Sequence, residues 1–214
     1  MVVEPVYIPA LRFRPLTHWY DFIIKATIRE QTFKSKLAEQ AALQPGERAL
    51  DLGCGTGTLT LMLKQRYPQA YISAIDADAQ ILSLARSKAA GADIDFQQAM
   101  SFALPFPGQS FDCVASSLMF HHLTPDNKLR SLREVHRVLK PAGRLHVADF
   151  GSPKNALQRS AFFLVQLFDG FASTSDSVGG ALPRLISEAG FTTSTETAVF
   201  STMFGTIRML KAIR

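Results

Sequence analysis

Three glycines stand close together in the run Leu50-Asp51-Leu52-Gly53-Cys54-Gly55-Thr56-Gly57-Thr58-Leu59. At that spacing a backbone turns sharply and approaches a ligand with no Cβ in the way. A helix starting just after them would add its unpaired N–H groups. Asp76 follows nineteen residues after Gly57, and a carboxylate there can accept both hydroxyls of a ribose. Loop and acid together point to a nucleoside derivative.

The spacing is G-x-G-x-G, with Thr58 where the dinucleotide fingerprint has its last glycine. Asp51, two residues before the first glycine, would repel a pyrophosphate and suit an ammonium. S-adenosyl-L-methionine has that ammonium, together with a sulfonium, a ribose and an adenine. Structural glycines alone would need neither Asp51 nor Asp76. The acid–base groups come later in the chain. His121 and His122 can take a proton near neutral pH, or cap a helix and brace a loop. Asp149 either faces the same edge or caps the segment after it. His136 and His146 read as surface or core residues, Cys113 as a buried apolar filler, and Cys54 as a loop residue near the ligand. No metal site is expected.

These residues need a scaffold, and the hydrophobic pattern supplies one. Residues 1–16 read as an extended arm, and Thr17 to Leu43 as a helix stopped by Pro45-Gly46. Strands are expected at Ala49–Leu52, Tyr71–Ile75, Ile94–Gln97, Phe111–Ser117 and Arg144–Phe150. Helices are expected at Thr58–Tyr67, Ala79–Ala90 and Pro125–Leu139, the last closed by Lys140-Pro141-Ala142-Gly143. Alternation of this kind means parallel strands joined by right-handed crossovers, a doubly wound α/β sheet. Ligands then sit beyond the carboxyl ends of the strands. A further helix at Leu182–Ala189 precedes two runs, Phe191–Val199 and Thr206–Ile213. So short a connection makes them an antiparallel hairpin.

Composition narrows the rest. The chain has 214 residues, 47% of them hydrophobic, and a net charge of +5. A chain of that length buries enough surface to need neither disulfides nor metal. Two cysteines make no disulfide framework, so a cytoplasmic setting is the expectation. No signal peptide is read at the N-terminus, and no apolar stretch approaches the ~20 residues of a spanning helix. Disordered, fibrous, secreted-scaffold and integral membrane classes are thereby excluded. The basic residues are scattered, apart from the modest arm Arg12-Phe13-Arg14, so a nucleic-acid partner is not expected. Residues 155–171 form a run too apolar for an exposed helix. They either pack on the sheet or in a homodimer interface, or serve as a lid over an apolar acceptor. Trp19 and Tyr20 are a second candidate cover.

The glycine run resembles motif I of the class I S-adenosylmethionine-dependent methyltransferases. The likeness continues in Ala74-Ile75-Asp76-Ala77-Asp78, in Leu104-Pro105-Phe106-Pro107-Gly108-Gln109-Ser110-Phe111-Asp112, in Phe120-His121-His122-Leu123 and in Glu134 to Gly143. Within that class the sequence is most similar to the ubiquinone/menaquinone C-methyltransferase branch. The resemblance implies a Rossmann-like seven-stranded sheet, mostly parallel and ending in an antiparallel hairpin. It also implies one methyltransferase domain over 1–214. Residues 1–44 form the arm and helical cover, 45–150 the cofactor core, 151–180 a lid-like insertion, and 181–214 the last helix and hairpin. Gly53, Cys54, Gly55 and Thr56 would hold the methionine part, with Asp51 near its ammonium. Asp76 would take the ribose hydroxyls, Ala77 would lie beside the ribose, and Ser117 near the methyl group. Met100 stands where many relatives carry Asp or Asn facing the adenine. It can pack on the ring, with the Ser101 N–H reading a ring nitrogen. The implied activity is methyl transfer to a small, apolar or aromatic acceptor. A base-amine methyltransferase would show an Asn/Asp-Pro-Pro-aromatic motif where Ser116-Ser117-Leu118-Met119 stands. A nucleic-acid methyltransferase and a non-catalytic cofactor-binding protein are the alternatives.

Overall fold

A computed structural model describes residues 30–151, 180–202 and 205–214. Seven strands form one sheet in the order β3-β2-β1-β4-β5-β7-β6. They are β1 (Arg48–Leu52), β2 (Tyr71–Asp76), β3 (Ile94–Gln98), β4 (Phe111–Ser117), β5 (Leu139–Gly151), β6 (Thr193–Thr202) and β7 (Gly205–Ile213). The first five run parallel, and β7 lies antiparallel to both β5 and β6. The helices among the described residues are α1 (Glu30–Ala41), α2 (Thr58–Arg66), α3 (Ala79–Lys88), α4 (Pro125–Val138) and α5 (Leu182–Glu188).

Both faces of the central strands are covered, which is why β1 and β4 read as continuous apolar runs. Ala49, Cys113 and Ala115 point to one face and meet Phe33, Leu37, Leu59 and Leu63 of α1 and α2. Leu50, Leu52 and Val114 point to the other and meet Leu132, Val135 and Val138 of α4 and Leu185 and Ile186 of α5. Leu82 of α3 closes over Ala74 and Cys54. In α4, Pro125 sits in the first turn and the Thr124 hydroxyl accepts the Asn127 N–H. The outer strand β6 is exposed from Thr193 to Thr197, which fits its alternating Thr/Ser run. Among the described residues no helix is long and apolar enough to cross a membrane.

Most element ends differ from the sequence reading by one or two residues, and three differences have a visible cause or consequence. α1 ends at Ala41, because Ala42 turns to φ 45°. The hairpin strand expected at Phe191–Val199 instead runs Thr193–Thr202. Lys140-Pro141-Ala142-Gly143 does not close α4 as a loop but belongs to β5. Leu139 pairs with Phe111, and pairing resumes at Arg144 with Cys113, so the extra residues bulge out of the ladder. Lys140 Nζ fixes the bulge by donating to both Asp112 oxygens at 2.8 Å. The arm expected at 1–16, the start of the expected helix from Thr17, Trp19, Tyr20 and the apolar run 155–171 lie outside the described residues.

Candidate cofactor and acceptor site

The loop after β1 is tied to the end of β2. The Gly53 and Cys54 N–H groups both donate to Ile75 O, at 3.0 and 2.8 Å. Gly55 N–H donates to Asp76 Oδ2 at 2.8 Å, and Asp78 N–H to Asp76 Oδ1 at 3.0 Å. Asp76 thus braces the glycine loop, a role its ribose assignment did not anticipate. Its oxygens still have lone pairs for a ligand, since a carboxylate accepts about four hydrogen bonds. Gly53 is required twice over. It sits at φ +73°, and a Cβ there would lie 2.3 Å from Met119 Cγ. Gly57, at φ +76°, opens α2 and would bring a Cβ within 3.2 Å of Ala85 Cβ.

Asp51 lies beneath this loop and is 1% exposed. Thr60 of α2 donates its hydroxyl to Oδ2 at 2.6 Å. The other oxygen, Oδ1, is buried with no hydrogen-bond partner. Burial lifts the carboxyl from 3.8 to about 6, against the Thr60 bond and the positive charge of Lys34. A buried carboxylate oxygen lacking a donor is what a ligand's ammonium relieves, so the donor set fits S-adenosylmethionine. Cys54 is buried beside it, and its thiol pKa is pushed far up by that burial and by Asp51 and Asp76. It is no thiolate nucleophile.

On the β3 side the Ala99 N–H donates to Asp76 O, and Gln98 Nε2 to Ala77 O, both near 3 Å, which sets the next turn beside Asp76. Met100 is half-buried there. The Ser101 hydroxyl is buried against that of Ser131 in α4, 2.8 Å away, so the side chain of Ser101 serves α4 and only its backbone is left for a ring. At the end of β4, Ser116 Oγ donates to Leu52 O. Ser117 Oγ is buried with no partner, the second polar atom at this edge lacking one. Leu118 then turns to φ 54° with its N–H on Ala148 O, which carries the chain over the sheet edge.

His121 and His122 follow on a short 3₁₀ turn, Phe120–His122. Asp149, 3% exposed at the end of β5, meets both readings given to it. Its Oδ2 accepts the Phe120 N–H at 2.7 Å, and its Oδ1 accepts the Phe150 N–H and lies 2.7 Å from His121 Nδ1. Burial alone would raise its carboxyl, but His121 and the Phe150 N–H hold it below the usual range. The edge of the Phe150 ring meets the His121 ring at 5.0 Å between centroids. His122 packs on His121 at 4.0 Å. Its burial, together with the positive charge that His121 carries whenever it is protonated, lowers its pKa from 6.5 to about 3, so it stays neutral. His146 is fully buried in β5 with neither ring nitrogen partnered, and Cys113 is a buried filler with its thiol pushed up to about 12.

Asp51, Asp76, Ser117 and Asp149 therefore lie at the carboxyl ends of four adjacent strands, β1, β2, β4 and β5. Thr60 and Lys34 were not read from the sequence. A polar residue on the buried face of α2 was the one available sign of Thr60.

A family model described as a methyltransferase domain matches residues 49–143. An uncharacterized methyltransferase of Synechocystis sp. is 31% identical over 191 residues, covering 84% of this chain and 87% of its own length. The demethylmenaquinone methyltransferase of Thermus thermophilus is 38% identical over 135 residues, covering 62% of this chain and 59% of its own. The chain thus spans less than two thirds of that relative, and 51% of a ubiquinone/menaquinone biosynthesis C-methyltransferase of Hahella chejuensis. The YcgJ protein of Bacillus subtilis shares the fold with a TM-score of 0.70, covering 86% of this chain and 98% of that one at 20% identity. The loop, the strand order and these likenesses agree: the chain belongs to the class I S-adenosylmethionine-dependent methyltransferases.

Proposed function

We propose that the chain methylates a small apolar or aromatic molecule, in the cytoplasm, with His121 as the base that removes the acceptor's proton. The observation carrying this reading is the buried His121–Asp149 pair, 2.7 Å apart at the edge that also holds Asp51 and Asp76. When bound, S-adenosylmethionine supplies an electrophilic methyl group on its sulfonium. Asp51 holds the ammonium, Asp76 the ribose, Met100 and the Ser101 backbone the adenine, and Ser117 the region of the methyl group. In the tautomer that donates Nδ1–H to Asp149, the basic lone pair of His121 belongs to Nε2. Asp149 also stabilises the imidazolium that forms when that lone pair takes a proton. Alignment supplies most of the rate in a displacement of this kind, and His121 adds what the acceptor's acidity requires. The names of the quinone-type relatives, and Phe150 against the His121 ring, support an aromatic or quinol acceptor.

Binding of S-adenosylhomocysteine by calorimetry tests the cofactor half; no binding overturns the reading. Transfer of labelled methyl to a panel of quinols and phenols tests the acceptor half. His121→Gln is expected to lower kcat by about 10²-fold or more with S-adenosylhomocysteine affinity unchanged. Asp149→Asn should lower kcat similarly and also destabilise the fold, since four hydrogen bonds depend on it. Full turnover in His121→Gln would remove the base role.

A further inference from the structure

We propose that Lys34 holds the carboxylate of the cofactor's amino-acid end, so that Lys34 and Asp51 grip that zwitterion between them. The inference rests on the cofactor reading above and adds to it a residue from outside the glycine loop.

Lys34 lies in the first turns of α1 with its Nζ 2.6 Å from Glu30 Oε1, and its side chain is only 11% exposed. A second helix pair, Lys36 with Glu39, shows what an ordinary surface contact looks like here: the two side chains are 45% and 50% exposed. Pairs of that spacing stabilise a helix by a few tenths of a kcal/mol at most, whereas burying an ammonium is costly. Stabilising α1 is therefore a poor account of why Lys34 is withdrawn from water. Its position offers a better one. α1 packs through Phe33 and Leu37 on Leu59 and Leu63 of α2, and Thr60 of that same helix face is bonded to Asp51. The positive charge of Lys34 is felt by both Asp51 and Cys54.

The packing of α1 on α2 thus brings the helix of a buried cation against the helix that holds a buried anion, while Lys34 Nζ pairs with Glu30 and Asp51 Oδ1 has no hydrogen-bond partner. A ligand carrying an ammonium and a carboxylate on one carbon satisfies both. Its ammonium donates to Asp51 Oδ1, and its carboxylate accepts from Lys34. The Glu30 contact takes one of the three N–H donors of an ammonium, and Glu30 keeps Lys34 aimed while the ligand is away.

The test is calorimetric binding of two ligands, S-adenosylhomocysteine and its decarboxylated analogue, which keeps the ammonium and lacks the carboxylate. In the unsubstituted protein the analogue should bind at least about tenfold more weakly. Lys34→Met should weaken S-adenosylhomocysteine by a similar factor and leave the analogue unchanged, while Lys34→Arg should restore binding to within about threefold. Equal affinity for the two ligands in the unsubstituted protein overturns the proposal without any variant. A Lys34→Met loss shared equally by both ligands, or no loss, overturns it as well. Failure of the unsubstituted protein to bind S-adenosylhomocysteine would instead sink the cofactor reading, so the two failures are told apart.

Discussion

Asp51→Asn separates what this carboxylate costs the fold from what it does for the cofactor. Burial lifts its pKa from 3.8 to about 6. At about 1.4 kcal/mol per unit, the ionised group costs the empty fold about 3 kcal/mol above neutral pH. The folded protein holds this proton more tightly than the unfolded chain does. Asp51 therefore adds stability as pH falls through 6, and adds no more below 3.8. Between pH ~7.5 and ~5 its contribution grows by about 1.4 kcal/mol. His122 and His146 act in the opposite sense. Burial depresses them from 6.5 to about 3 and about 4, so each removes stability as pH falls through 6.5. Both proteins should thus weaken on acidification, and Asp51→Asn should weaken further than the unsubstituted protein by about 1.4 kcal/mol. Urea unfolding without cofactor at the two pH values measures that difference. In parallel, affinity for S-adenosylhomocysteine should weaken about tenfold per unit below pH ~6 in the unsubstituted protein. In the variant it should be low and flat. Parallel stability curves, or a variant that binds as tightly as the original, would refute the assignment of Asp51.

Two further substitutions follow from packing. Gly53→Ala forces a Cβ against Met119 at a φ of +73°. It should cost about 2–4 kcal/mol in urea unfolding and weaken S-adenosylhomocysteine binding; an unchanged midpoint would mean that Met119 yields freely. His146→Leu replaces a buried ring whose two nitrogens lack partners. It should raise stability by about 1–2 kcal/mol at neutral pH and lessen the loss at pH ~5, and a destabilised variant would contradict this.

The central strands were legible because burial on both faces writes an uninterrupted apolar run, as in Ala49–Leu52 and Phe111–Ser117. The glycine loop was legible because its residue types have few other uses at such spacing. The bulge in β5 was not. Lys140-Pro141-Ala142-Gly143 carries ordinary turn residues, and only the register between Phe111 and Leu139 draws it into the sheet. The same holds for the site. Asp51 and Asp76 stand at recognisable offsets from the loop, whereas the bond from His121 to Asp149 spans 28 positions and leaves no local trace. Lys34 looks in sequence like any helix lysine, and nothing in its local pattern marks it as withdrawn from solvent.

The four strand-end side chains, Asp51, Asp76, Ser117 and Asp149, come from strands that meet only when the parallel sheet is complete. Contacts so distant along the chain form late and slowly compared with helical ones. A folding intermediate lacking β4 and β5 would hold Asp51 and Asp76 but neither Ser117 nor Asp149, so the complete site forms only with the full sheet. Ligand and folding are then linked in one equilibrium. At about a hundred times Kd, cofactor would add roughly 2.7 kcal/mol to global stability. It would also slow amide exchange in the middle of the sheet, far from any atom it touches, as well as in the loop.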